Sequence, residues 1–147
     1  MSFTNASETA LLNLLLRNQA WAGIGDASGL QPSAADGVFW LSLHTADPGE
    51  APATQQTTNE TGYTGYARVS VARNTGWSVS GDVGDNAAAI TWPSVSAGSG
   101  TITHVGLGTD QTGNGTLVAK ATVTGGYTLT VGKQPQILTG GLDWLAS

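Results

Sequence analysis

The sequence predicts a mainly β fold, an antiparallel β-sandwich or jelly roll with an N-terminal α-helix. Seven to nine short β-type runs follow one another after residue 37, at the eight-to-twelve-residue rhythm of such folds. A single leucine-rich stretch at the front carries the helical period. Glycine, serine and threonine fill more than a third of the 147 residues while charged residues make up 10%, well under the usual quarter. The surface is therefore wetted by hydroxyls and amides. The length suits one domain, residues 1–147, with a helical segment over 1–22.

The helix is expected from about Ala6 to Trp21. Asn5 stands as its N-cap, with Glu8 three residues on to complete a capping-box pair. Leu11, Leu14 and Leu15 form one stripe, widened by Leu12 and Leu16 beyond what a helix lying on one surface needs. One side packs on the chain's own sheet, and Leu12 and Leu16 are candidates for contact with another subunit. Gly23, Gly25 and Gly29 follow and open a loop to Gly37.

Val38 to Leu43 reads as an inner, aromatic strand. Residues 44–64 form a long, aperiodic connection, the kind that in a compact domain is functional or mobile; it is expected to act as an arm. Tyr66 to Arg73 alternates and predicts a strand, and Asn74-Thr75-Gly76 turns it into Trp77–Ser80. Gly81 to Asp85 is expected as a loop, Ala87 to Trp92 as a strand closed by Pro93, and Thr101 to Leu107 as another. Thr116–Val123 and Tyr127–Val131 read as two strands around Gly125-Gly126, and Gln136–Thr139 as the last, continued by Leu142–Leu145.

Several functions are disfavoured. Five Lys and Arg against ten Asp and Glu cannot build a phosphate-tracking stripe, so no nucleic-acid partner is expected. No apolar run reaches the length of a membrane span, so no membrane partner is expected. The N-terminus lacks the basic start of a secretory signal, which implies synthesis in a host cytoplasm. There is no Cys. His44 and His104 have no third ligand at metal spacing and read as structural. The carboxylate pairs Asp47/Glu50 and Asp82/Asp85 sit in Gly-containing turns, where Asp bonds its own backbone. Asp110 to Gly115 imitates the start of a calcium loop, but the twelfth position is Ala121 and the closing Glu is missing. No cofactor, metal or catalytic residue is expected.

Interface candidates remain. Trp40 and Trp92 lie in strands and belong to the core, while Trp21 and Trp144, near the chain's ends, suit intersubunit anchors. Trp21, Trp40, Trp77, Trp92 and Trp144, with Tyr63, Tyr66 and Tyr127, could form a sugar-stacking platform, although some of these aromatics must fill the core. The full set is Leu12, Leu16, Trp21, Asp47, Pro48, Glu50, Tyr63, Tyr66, Trp144 and Leu145.

Asn5–Leu12, Leu41–Glu50 (Leu-Ser-Leu-His-Thr-Ala-Asp-Pro-Gly-Glu), Thr57–Glu60, Tyr63–Val69, Asn86–Pro93 and Thr101–Gly108 together resemble a family of small tailed-phage structural proteins, in the same order along the chain. The segment Gly140–Leu145 departs from that pattern. The resemblance implies a non-enzymatic virion protein. Its members resemble capsid cement or decoration proteins, or are described as tail or tail-fibre proteins. The expectation is a cement protein, a dimer or trimer on the outer capsid surface, binding the major capsid protein and clamping its neighbours. The alternative is a tail, baseplate or fibre component contacting host glycans.

Overall fold

The computed structural model describes residues 2–146. The chain is mainly β, with antiparallel sheets and one N-terminal helix. Where one domain is expected, two compact units are traced. The first takes its described residues from Met1–Val38, Ala72–Ala89 and Leu138–Ser147, the second from Phe39–Val71 and Ile90–Ile137.

In the first unit, helix α1 (Asn5–Arg17) lies on a three-stranded sheet of β3 (Trp77–Ser80), β4 (Val83–Asn86) and β9 (Asp143–Leu145), in the order β3-β4-β9. Its cap is Thr4 and not Asn5: the Thr4 hydroxyl accepts from the Ser7 N–H at 3.4 Å, so the Asn5–Glu8 box does not form. The helix also stops before Trp21. Asn18 takes the left-handed conformation (φ 54°), which Asn tolerates at a helix end. The Arg73 guanidinium donates to the carbonyls of Leu14 (2.6 Å) and Leu15 (2.7 Å). A cation at that end answers both the orphan carbonyls and the negative pole of the helix.

Trp77, Gly84, Asn86 and Trp144 share the sheet face under the helix, as the register Trp77↔Asn86 and Gly84↔Trp144 requires. Gly84 is where Leu16 presses against the sheet, so a Cβ there would collide with the leucine. Asn86, 1% exposed, uses its whole amide: Nδ2 donates to the Ala88 and Leu138 carbonyls, and Oδ1 accepts from Gly141 and Leu142. This ties down the C-terminal segment and leads it into β9. The expected loop at 81–85 is instead the second half of a hairpin, turned at Gly81 (φ 63°) and Asp82.

In the second unit a sheet of order β2-β1-β6-β7 is built from β2 (Val69–Ala72), β1 (Val38–His44), β6 (Gly100–Gly108) and β7 (Leu117–Leu129). β7 is one strand, not two; Gly125 and Gly126, both at positive φ, form an irregularity inside it. On one face Phe39, Leu41, Leu43, Val105 and Leu107 make the core. The ribbon of β5 (Ile90–Thr91) and β8 (Gln136–Ile137) closes it together with Trp92, whose indole N–H donates to the Leu41 carbonyl at 3.4 Å. Among the described residues, the nine strands therefore form sheets of four, three and two.

Candidate interaction surface

The second unit places the long connection on the other face of its four-stranded sheet. Four consecutive residues at the end of β1, Leu41 to His44, are all buried. Alternation sends Leu41 and Leu43 to the core, so Ser42 and His44 need a cover on the opposite side. Residues 45–64 supply it. Gly106 and Gly108, beside Ser42 and Trp40 in the register, leave room for it: at Gly108 a Cβ would overlap the side chain of Gln56. Gln56 is fully buried. Its amide donates to the Trp40 carbonyl (3.0 Å) and accepts from the Asp110 N–H (2.9 Å), while its backbone N–H donates to the Asn114 carbonyl (2.8 Å).

The end of the connection is fixed by charge. The Arg68 side chain, 4% exposed, makes a two-pronged pair with Glu60 (2.8 and 2.7 Å). Its remaining donors reach the carbonyls of Asp110 and Gly113, each at 2.8 Å. Arg68 thus spends its charge inside the turn that resembles a calcium loop, bonded to two of its backbone carbonyls. Among the described residues no cluster of three or more His, Asp or Glu is placed to hold a metal. Tyr66 donates its hydroxyl to Glu60 (2.7 Å) and accepts from the Leu43 N–H (3.0 Å). Burial and the Glu60 charge raise its phenol pKa far above the ordinary value. His44, fully buried, contacts the Ser42 hydroxyl (2.8 Å) and the Thr58 carbonyl (2.8 Å), and burial lowers its pKa.

The expected interface residues separate accordingly. Tyr63, 6% exposed, donates its hydroxyl to the Pro93 carbonyl and packs edge-on against Tyr66, 5.3 Å between centroids. Pro48 is buried. Leu12, Leu16 and Trp144 lie in the core of the first unit, at 4%, 0% and 7% exposure. Packing within the chain already consumes these five apolar surfaces, so they are not the partner-facing groups expected. Trp21 is half-buried and closes a loop by paired backbone bonds with Leu30, both 2.9 Å. Leu145 is exposed, on the outer face of β9.

Asp47 and Glu50 are exposed and converge on Lys120 of β7, at 2.6 and 3.3 Å. The Lys120 ammonium holds the Asp47 carboxyl below its usual range, and Asp47 in turn raises the lysine. The connection is thus a cover anchored through Gln56 and Glu60, with exposed residues such as Asp47, Glu50 and Ala51 ahead of the anchors, and not a loose arm. Gln56 and Arg68 are not legible as its anchors, because their partners at Asp110 lie 54 and 42 residues away; the opposite charges of Glu60 and Arg68, which pair eight residues apart, are the signal the sequence offers.

Residues 2–144 match the family model described as podophage GP4 fiber I protein gp80. The chain belongs to this phage fiber family. The match spans both compact units. It makes the chain a phage structural protein and a virion component, as the resemblance implied, while the family's description names a fiber and no capsid cement role. No curated protein matches the chain.

Proposed function

We propose that the protein is a non-enzymatic component of a podophage fiber, self-associating as a dimer or trimer and joining its neighbours through its surfaces. The observation that carries this is the family match over nearly the whole chain. It favours the fiber over a cement protein on the capsid surface. The state of the reactive groups supports the absence of catalysis. Ser42 and His44 have the hydrogen bond of a nucleophile and base, but both are fully buried and the second ring nitrogen meets a backbone carbonyl.

Host-glycan contact has one supporting observation. A groove of about 270 Å³ is lined by half-buried Tyr66 together with Thr57, Gln111 and Thr112, an aromatic wall beside hydroxyl and amide groups. Glycan-array binding lost on replacing Gln111 and Thr112 with Ala supports that contact, and an unaffected array removes it. The fiber assignment is tested by copy number in purified virions, measured by quantitative mass spectrometry. A few copies to a few dozen per particle agree with a fiber, whereas hundreds mean a capsid cement protein bound to the major capsid protein.

A further inference from the structure

The four-stranded sheet ends on one side in β2, four residues long, and on the other in β7, thirteen long. One side of β7 bonds to β6. The other is engaged only at the start, where Thr116 bridges Gln55 and the Leu117 N–H donates to the Thr54 carbonyl. From Val118 to Thr124, among the described residues, no backbone bond runs to anything but β6.

Sheets normally blunt such an edge with Pro, an inserted bulge or charge. The stretch Val118–Thr124 has no Pro and its single charge is Lys120, while its register with β6 slips at Val118 and again after Thr122, which leaves residues 119–122 as the regular run. That charge is already answered by Asp47 and Glu50 of the same chain. Beside the edge runs a groove of about 360 Å³, between Val118–Lys120 and the loop at Glu50 and Thr54.

We propose that β7 is a self-association edge, on which the β7 of a second copy pairs antiparallel over residues 119–123 about a two-fold axis at Ala121. The inference rests on the self-association proposed above and supplies its surface. An open strand edge recruits an extended strand. The local electrostatics favour one without acidic residues: Asp47 and Glu50 set two carboxylates against the single ammonium of Lys120, so an acidic segment is repelled. β7 is itself such a strand, rich in Val, Thr and Ala. An antiparallel pair of identical strands is self-complementary and closes the assembly, whereas pairing β7 with the β2 of another copy would continue head to tail. Centred on Ala121, the register sets Lys120 opposite Thr122 and Ala119 opposite Val123, so the two lysines do not face each other.

The chain has no Cys, so one introduced thiol reports cleanly. Full-length Ala121→Cys, oxidised mildly and run on a non-reducing gel, is expected to convert mostly to a disulfide dimer. Opposed residues at such a centre lie about 5 Å apart, within disulfide reach. Ala119→Cys is expected to stay monomeric on the gel, because its two copies stand roughly 13 Å apart along the strands. If Ala121→Cys does not fold, mixed Ala119→Cys and Val123→Cys proteins are expected to cross-link to each other and not to themselves. Light scattering on the unmodified protein separates the two claims. A dimer or trimer in solution without the Ala121 cross-link overturns the β7 edge and leaves self-association standing, while a monomer overturns both.

Discussion

Arg68 is the residue on which the surface loops of the second unit depend. Glu60, its partner, is 13% exposed at the side chain, so removing the guanidinium leaves a carboxylate with little water and two carbonyls without donors. Loss of one member of a buried pair is expensive, about 3 kcal/mol or more. Arg68→Met is therefore expected to lower the thermal midpoint by several degrees. The double variant Arg68→Met/Glu60→Gln is expected to recover part of the loss, which calorimetry on the three proteins measures. His44 gives a pH test. Its folded pKa lies below the ordinary imidazole value, so the unfolded chain binds the proton more readily. Stability from the neutral ring is complete above about pH 6.5 and is lost as pH falls from there toward the lower folded pKa. Denaturant midpoints between pH 7.5 and 5 are expected to fall in the native sequence and to fall less in His44→Gln.

Among the elements, the outer face of the β3-β4-β9 sheet carries an unfavourable pair. Asp85 and Asp143 stand directly opposite each other, and desolvation together with the Asp143 carboxyl raises the pKa of Asp85. A raised carboxyl pKa penalises the folded state once both groups ionise, and the penalty fades as pH falls through that raised value. Asp85→Asn is thus expected to stabilise the protein at pH 7 by on the order of 0.5 kcal/mol, and to lose that advantage near pH 3.5. Equal destabilisation at both pH values would mean that the asparagine breaks the strand instead. The element types follow from local pattern wherever the pattern is itself local. The leucine stripe yields α1, and the alternation of Thr101–Leu107 yields β6. β4 is invisible in this way, because Val-Gly-Asp-Asn is poor in strand-forming residues. It forms since β3 and β9 pair on both sides of it and Gly84 admits Leu16. The helix end is hidden for a related reason: its stop signal is Asn18 supported by Arg73, and not the glycines beyond. The cover over β1 read as an arm because its anchors are non-local, and Gly106 and Gly108 have a purpose only once Gln56 is in place. Gly108→Ala is expected to displace Gln56 and cost about 1–3 kcal/mol.

At the scale of the whole molecule, the sequence was most informative where many separated segments agreed. The resemblance ran through six blocks in order, and the family match covers 2–144; both lead to a phage structural protein. It was least informative about individual contact residues, since five of the ten expected at an interface are spent on packing inside the chain. An aromatic or leucine near a chain end is equally suited to an anchor and to a core, and only the long-range pairings decide between them. What remains exposed is the Asp47–Glu50–Lys120 cluster beside the free edge of β7, and Leu145 on β9. The central claim is that this chain is a fiber component. Cryo-electron microscopy of virions labelled with an antibody against the chain tests it most directly. Label on fibers at the tail is the expected result, and label spread over the icosahedral surface of the head, or missing from mature particles, would contradict it.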